Sequence, residues 1–153
     1  PGTSWKYHFV DKAIIAPLIC FEVADDHLIR EAVAESNIFI AQTNNATYGR
    51  SAQSRQQLQI TRSRALEYHR AIASISTVGV SAMIDPDGKT ISQLEPYTTG
   101  SLTATLPLYN QLTPARENGL RAEFGSVAIA LLAALMGIPA VVSGFRRFRT
   151  NRR

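Results

Sequence analysis

From Phe124 to Phe145 the chain runs FGSVAIALLAALMGIPAVVSGF, 22 residues without a charge and with two serines as the only polar side chains. As a helix rising about 1.5 Å per residue it extends roughly 33 Å, enough to cross a bilayer core of about 30 Å. A core helix of a small soluble domain keeps one polar face, and this segment has none. Pro139 fits the same reading, because glycine and proline are more frequent in spanning helices than in soluble ones. Its place late in the chain is not that of a signal peptide. The segment is read as one transmembrane helix.

The flanks orient it. Arg116 and Arg121 on the preceding side are offset by Glu117 and Glu123, whereas Arg146, Arg147, Arg149, Arg152 and Arg153 follow with no acid among them. The positive-inside bias then sends the C-terminus to the cytoplasm and residues 1 to about 120 to the outer face. The formal net charge of +4 therefore belongs to the tail, since residues 1–145 hold 11 basic against 12 acidic side chains. A nucleic-acid role is the competing account of such a tail. Next to a spanning segment the membrane anchor is the better one, and no nucleic-acid partner is expected.

Ahead of the span, 45% hydrophobic and 18% charged residues over the whole chain exclude a disordered polypeptide. Ala13 to Ile19 (AIIAPLI) is a nearly continuous apolar run, as in a strand buried on both faces. Asp25 or Asp26 can cap a following helix with Leu28, Ile29, Ala32 and Val33 as its apolar stripe. Asn37 to Gln42 reads as the next strand, the polar loop TNNATYGRS follows, and a second helix from about Ser54 to Tyr68 carries Leu58, Thr61, Ala65 and Tyr68 on one face. The period then becomes strand-like at Ala71–Thr77, Val80–Ile84, Thr90–Leu94 and Ser101–Leu106, with Asp85-Pro86-Asp87-Gly88 as a turn. The order β-α-β-α-β-β-β-β describes an α/β layer structure with helices on one sheet face.

The chain has one cysteine, which excludes an internal disulfide framework and a multi-cysteine zinc site. Cys20 ends the first buried strand just before a helix, where side chains leave the carboxyl edge of a parallel sheet and ligands gather. A helix start there offers backbone N–H groups that lower a thiol pKa and hold an oxyanion. The plainer account is a small buried residue, as free cysteines often are. Glu22, two residues on, can orient a substrate amine or relay a proton, or be an ordinary acid in a first helical turn.

Other groupings are weaker. Asp25, Asp26 and His27 point to different faces, with His8 and His69 elsewhere, so no metal site is expected. Gly79-Val80-Ser81-Ala82 lacks the second glycine of a nucleophile elbow. Arg55, Arg62, Arg64 and Arg70 are expected to form a solvated face or to meet nearby acids, with anionic lipid headgroups as the alternative.

The strings PLICFEV, QTNNATYGRS, QQLQITRSRALEYHRAIASISTVGVSAMIDPDGK and LTPARENG, in that order before a spanning helix, resemble the C-terminal part of the apolipoprotein N-acyltransferase family in its actinobacterial form, within the nitrilase superfamily. The resemblance covers nearly the whole chain. It implies part of an α-β-β-α sandwich followed by one transmembrane helix, and a Glu-Lys-Cys triad that needs no cofactor. It implies transfer of a fatty acyl chain from a phospholipid acyl donor to the N-terminal amine of a diacylglyceryl apolipoprotein acceptor, at the outer side of the cell membrane. Cys20 matches the nucleophile that becomes a thioester, which predicts a two-step transfer. Glu22 matches the glutamate of the family's Cys-Tyr-Glu, in a supporting role, while Phe21 replaces the tyrosine and keeps a backbone N–H that can serve as oxyanion donor. In the loop, Asn44 and Asn45 match the Asn-Asp of Thr-Asn-Asp, and with Tyr48 they are the candidate substrate contacts.

The family's catalytic glutamate and lysine lie upstream of the cysteine, and Lys6 and Lys12 are too near Cys20 to supply the latter. The expectation is a C-terminal fragment, inactive alone, with residues 1–112 as part of the catalytic domain, 113–123 as connector, 124–145 as the span and 146–153 as the tail. A short connector would hold the catalytic layer close to the bilayer. A membrane-tethered amidohydrolase and a noncatalytic anchored module remain as alternatives, and oligomeric state is left open.

Overall fold

The computed structural model describes residues 5–150, with side-chain surroundings as far as Met136. It divides into two compact units, one ending at Glu117 and the other beginning at Asn118. In the first, one sheet holds six strands in sequence order: β1 (His8–Val10), β2 (Ala13–Ile19), β3 (Ile38–Thr43), β4 (Ala71–Ser76), β5 (Ser81–Ile84) and β6 (Thr90–Leu94). β2, β3 and β4 are parallel to one another, and the remaining pairs are antiparallel. Helix α1 (Asp26–Glu35) links β2 to β3, and α2 (Gln53–Tyr68) links β3 to β4. Parallel crossovers are right-handed almost without exception, so two successive crossovers stepping the same way across a sheet put both helices on one face.

The burial pattern follows from that arrangement. Ala16, Phe39, Ile72 and Ile84 sit side by side across β2, β3, β4 and β5 and are fully buried, with Leu18, Ala41 and Ala82 one step along. They share one apolar cluster with Ile29 and Val33 of α1 and Leu58, Ala65 and Tyr68 of α2. The opposite face carries the cross-strand row Pro17, Ile40, Ala73 and Met83, which is only half-buried. Among the described residues of this unit there are thus one helix layer and one sheet, half the layers of the expected sandwich. Asp25 caps α1 through its side chain, which accepts the Leu28 N–H at 3.0 Å.

Two expectations are corrected. The hairpin strand β1 was not anticipated; it is three exposed residues turned at Asp11, whose φ is +50°. Ser101–Leu106 is not a strand: Leu102, Ala104 and Leu106 are half-buried in alternation, so the period is real, but the segment joins no ladder among the described residues. A strand requires a hydrogen-bonded neighbour, which alternation alone does not supply.

Arg70 differs from the expected solvated face as well. It is buried, and its guanidinium donates to the carbonyls of Ser36 (2.9 Å) and Gln111 (2.9 Å), with longer bonds to Tyr68 and His69 (both 3.3 Å). Ser36 and His69 are the C-caps of α1 and α2, so the negative ends of two helix dipoles converge on one cation. That accounts for a buried arginine facing carbonyls in place of a carboxylate, although burial holds its pKa below the ordinary value. Its neighbour Asn37 ties Ile14 N–H (2.8 Å), the Lys12 carbonyl (2.9 Å) and Asn110 (3.0 Å). Together they fasten the chain beyond β6 to the amino ends of the parallel strands.

Helix α3 (Pro114–Thr150) begins in the first unit and makes up the described part of the second. Residues 114–123 are its opening turns. Its stretch Pro114–Met136 is long and apolar enough to span a membrane, and the apolar window is not buried at all. Phe124, Ile129, Leu132 and Met136 are each more than half exposed. The side chains of 137–145 and of the tail arginines lie outside the described residues, as do Arg152 and Arg153 altogether.

Candidate active site

Strand β2 delivers Cys20 to the carboxyl edge of the sheet, between the ends of β2, β3 and β4. A short 3₁₀ turn, Cys20–Ala24, starts there, and Cys20 has φ +54°. Left-handed backbone costs a residue with a Cβ about 1 kcal/mol or more, and such strain persists only where the surroundings hold it. Cys20 is partly exposed. It lines an open cleft of about 500 Å³ with Ile19, Gln42, Thr43, Asn44, Ile75, Ser76 and Thr77.

The backbone on both sides of Cys20 is gripped by side chains. One Glu22 carboxylate oxygen accepts the Ile19 N–H at 2.7 Å. The Gln57 amide donates to the Cys20 carbonyl at 3.2 Å. Gln57 in turn accepts from Asn45 Nδ2 at 2.7 Å, the Asn45 oxygen accepts from the Ser76 hydroxyl, and that hydroxyl accepts the Gly79 N–H at 2.8 Å. A Cβ at Gly79 would come within 2.7 Å of both the Asn45 and Ser76 oxygens, so only glycine fits there. On the cleft wall, Asn44 Oδ1 accepts from the Ala46 N–H (3.1 Å) and the Thr77 hydroxyl (2.9 Å).

The sequence-derived residues are therefore distributed in four places. Cys20 and Asn44 share the cleft. Phe21 and Tyr48 line a second cavity of about 150 Å³ with Gln53, Gln56, Gln57 and Ile60. Asn45 is 4% exposed and lines neither, facing Gln57 and Ser76 instead. Glu22 is half-buried against the backbone of β2. Gln57, Ser76 and Thr77 were not singled out by sequence reasoning. Gln57 did leave a signal, a polar residue on the buried stripe of α2 beside Leu58 and one turn before Thr61.

The arginines of α2 are held within the protein. Arg55 pairs with Glu95 at 2.9 Å, and Arg62 donates to the Gly88 carbonyl at 2.8 Å. Arg64 meets Asp26 and Glu67; burial opposes its charge, but these two acids outweigh it and raise its pKa. Arg55 and Arg64 thus meet acids as expected, Arg55 on the surface and Arg64 at a more buried position. His27 faces Glu31 at 3.8 Å, and among the described residues no three His, Cys, Asp or Glu side chains cluster as a metal site would need.

A mixed sheet with a cysteine at the carboxyl ends of its parallel strands and both crossover helices on one face defines a class, and the family comparison agrees. Residues 1–113 match the family described as Carbon-nitrogen hydrolase, and the chain belongs to it. Among curated proteins it is similar to the apolipoprotein N-acyltransferase of Nitrosomonas europaea, 33% identical over 133 residues that make up 87% of this chain and 26% of that protein. It is likewise similar to the apolipoprotein N-acyltransferase of Mycolicibacterium smegmatis, 34% identical over 140 residues, 88% of this chain and 23% of that protein. The chain thus spans about a quarter of the length of these relatives. Of solved structures, a mutant of the Nesterenkonia AN1 amidase from the nitrilase superfamily superimposes with a TM-score of 0.55 at 17% identity, over 65% of this chain and 40% of that one. Saccharomyces cerevisiae Nit3, of branch 10 of that superfamily, gives 0.53 at 17% identity over the same shares. At these identities the likeness is one of fold, and the fold is the nitrilase-like one that the motifs implied.

Proposed function

We propose that this chain is the carboxyl-terminal part of a membrane N-acyltransferase in which Cys20 is the nucleophile. Its thiolate attacks the ester carbonyl of a phospholipid; the C–S bond forms, the C–O bond breaks, and the lysophospholipid leaves with a proton. The N-terminal amine of a diacylglyceryl lipoprotein then attacks the thioester. The C–N bond forms, the C–S bond breaks, the Cys20 thiolate is released and the amine's proton passes to a base. The observation that carries this reading is the strained Cys20 at the mouth of the cleft, supported by the named relatives. The Phe21 N–H is the oxyanion donor within this chain. Glu22 supports by holding the end of β2, and Asn44, Asn45 and Tyr48 are the substrate-side residues, Asn45 acting from behind the cleft wall.

The catalytic glutamate and lysine, in this reading, come from sequence outside these 153 residues, and so does the layer that covers Pro17, Ile40, Ala73 and Met83. The chain alone is then inactive. Helix α3 crosses the cytoplasmic membrane, with the catalytic part outside and the arginine tail inside. The test is the full-length protein and its Cys20→Ser variant, given a phospholipid and a diacylated lipopeptide, with mass spectrometry of Cys20. Acyl transfer and a Cys20 thioester are expected in the parent alone. Equal transfer by both proteins sinks the covalent mechanism, and release of free fatty acid with no acylated peptide selects the amidohydrolase alternative.

A further inference from the structure

The hydrogen bonds beneath Cys20 run one way. Gly79 N–H donates to the Ser76 hydroxyl, that hydroxyl to Asn45, the Asn45 amide to Gln57, and the Gln57 amide to the Cys20 carbonyl. Asn45 and Gln57 are 4% and 6% exposed, so the bond between them is shielded from water, and each bond in the chain polarises the next. The relay reaches from β5's approach through the ends of β4 and β3 to the residue after β2. It ends on the one backbone position in the cleft with positive φ.

We propose that Gln57 is a positioning residue for Cys20. Its amide fixes the carbonyl of the Cys20–Phe21 peptide, and because a peptide unit is planar it fixes the Phe21 N–H as well. Asn45 and Ser76 set the direction of the Gln57 amide: with its oxygen engaged by Asn45 Nδ2, the NH₂ group is the one that faces Cys20. Gln57 touches neither thiol nor substrate in this role. It sets the geometry with which the thiol meets the ester carbonyl and the N–H meets the developing oxyanion. The proposal rests on the reading of Cys20 as nucleophile.

Gln57→Glu tests it in the full-length enzyme. Ionised, the new side chain still accepts from Asn45 but has no proton for Cys20; protonated, it donates again. Loss of one such bond predicts thioester formation from a fluorescent-acyl phospholipid about tenfold slower than wild type at pH 8. The deficit relative to wild type shrinks as pH is lowered, with the thermal midpoint measured at each pH. A purely structural role would make rate and midpoint recover together. Rate recovery at an unchanged midpoint supports positioning, and a variant as fast as wild type at pH 8 overturns it, as does recovery only in step with the midpoint. Cys20→Ser run alongside separates the two failures: an active Cys20→Ser enzyme removes the nucleophile reading itself. If Gln57→Glu does not fold, Ser76→Ala carries the test at the far end of the relay. There a slowing of about threefold at unchanged midpoint supports the proposal, and an unchanged rate overturns it.

Discussion

At the amino ends of β2, β3 and β4, Asn37 and Arg70 lie buried and direct hydrogen bonds to backbone carbonyls and amides; at the carboxyl ends Asn45 and Gln57 lie buried almost as deeply, Gln57 reaching a backbone carbonyl and Asn45 the side chains of Gln57 and Ser76. The outcomes differ. The amino-end pair closes the sheet, drawing in Asn110 and Gln111 from the chain beyond β6. The carboxyl-end pair holds open a cleft beside a left-handed cysteine. Buried polar side chains grip a left-handed residue at both ends, His69 at one and Cys20 at the other, and what separates the two ends is the cleft that Cys20 lines.

If that division is right, damage at the amino end costs stability and damage at the carboxyl end costs rate. The largest stability effect is expected from Arg70→Met, which strips the carbonyls of Ser36 and Gln111 of their donor at the converging helix ends. A loss of about 3 kcal/mol is expected in denaturant unfolding of the full-length protein in detergent, with thioester formation per folded molecule unchanged. A parallel fall in rate would break the comparison. Gly79→Ala is expected to lose about 2 kcal/mol, because its Cβ overlaps the Asn45 and Ser76 oxygens. Unlike Arg70→Met it also slows acylation of Cys20 in the surviving folded fraction, which stopped-flow with the fluorescent-acyl phospholipid reads.

Glu22 sharpens the division further. Glu22→Ala frees the Ile19 N–H and is expected to cost about 1 kcal/mol, seen as slower thioester formation. Glu22→Gln keeps an acceptor for that N–H and recovers most of the rate; a glutamine variant as slow as the alanine one would mean that the carboxylate itself takes part in proton transfer. The smallest effect lies at high pH. Burial first, and the nearby Glu67 second, hold the Tyr68 phenol above its ordinary value of 10.0. The folded state therefore keeps a proton that the unfolded chain releases, and stability falls as pH rises above that value. Tyr68→Phe removes that part of the alkaline slope, by less than about 1 kcal/mol; identical slopes in a pH series of melts would refute the assignment.

Much of the sheet was legible in the residues. Ala13–Ile19 and Thr90–Leu94 match their strands, and the α2 stripe Leu58, Thr61, Ala65, Tyr68 is buried as its spacing requires. Short-range pattern records burial, and burial is what these elements have in common. The failures share a cause too. Ser101–Leu106 has the period of a strand without a partner, and Arg70 looks like one more surface arginine until two helix ends meet around it. For the site, the cysteine at a strand end was legible. The left-handed turn was not, because nothing in Cys-Phe-Glu demands it, and neither was the Gln57 relay, whose side-chain links from Ser76 to Cys20 each join residues 12 to 37 positions apart.

By itself the sequence determined the apolar helix, the family, and the position of a lone cysteine at the end of an apolar strand, since each depends on composition or order along the chain. Only the tertiary structure decided which side chains hold that cysteine in an unfavourable backbone conformation, and which loop residue, Asn44 or Asn45, reaches the cleft. Adjacent residues in a loop diverge according to the hydrogen bonds that distant segments offer them, and those distances exist only once the strands are paired.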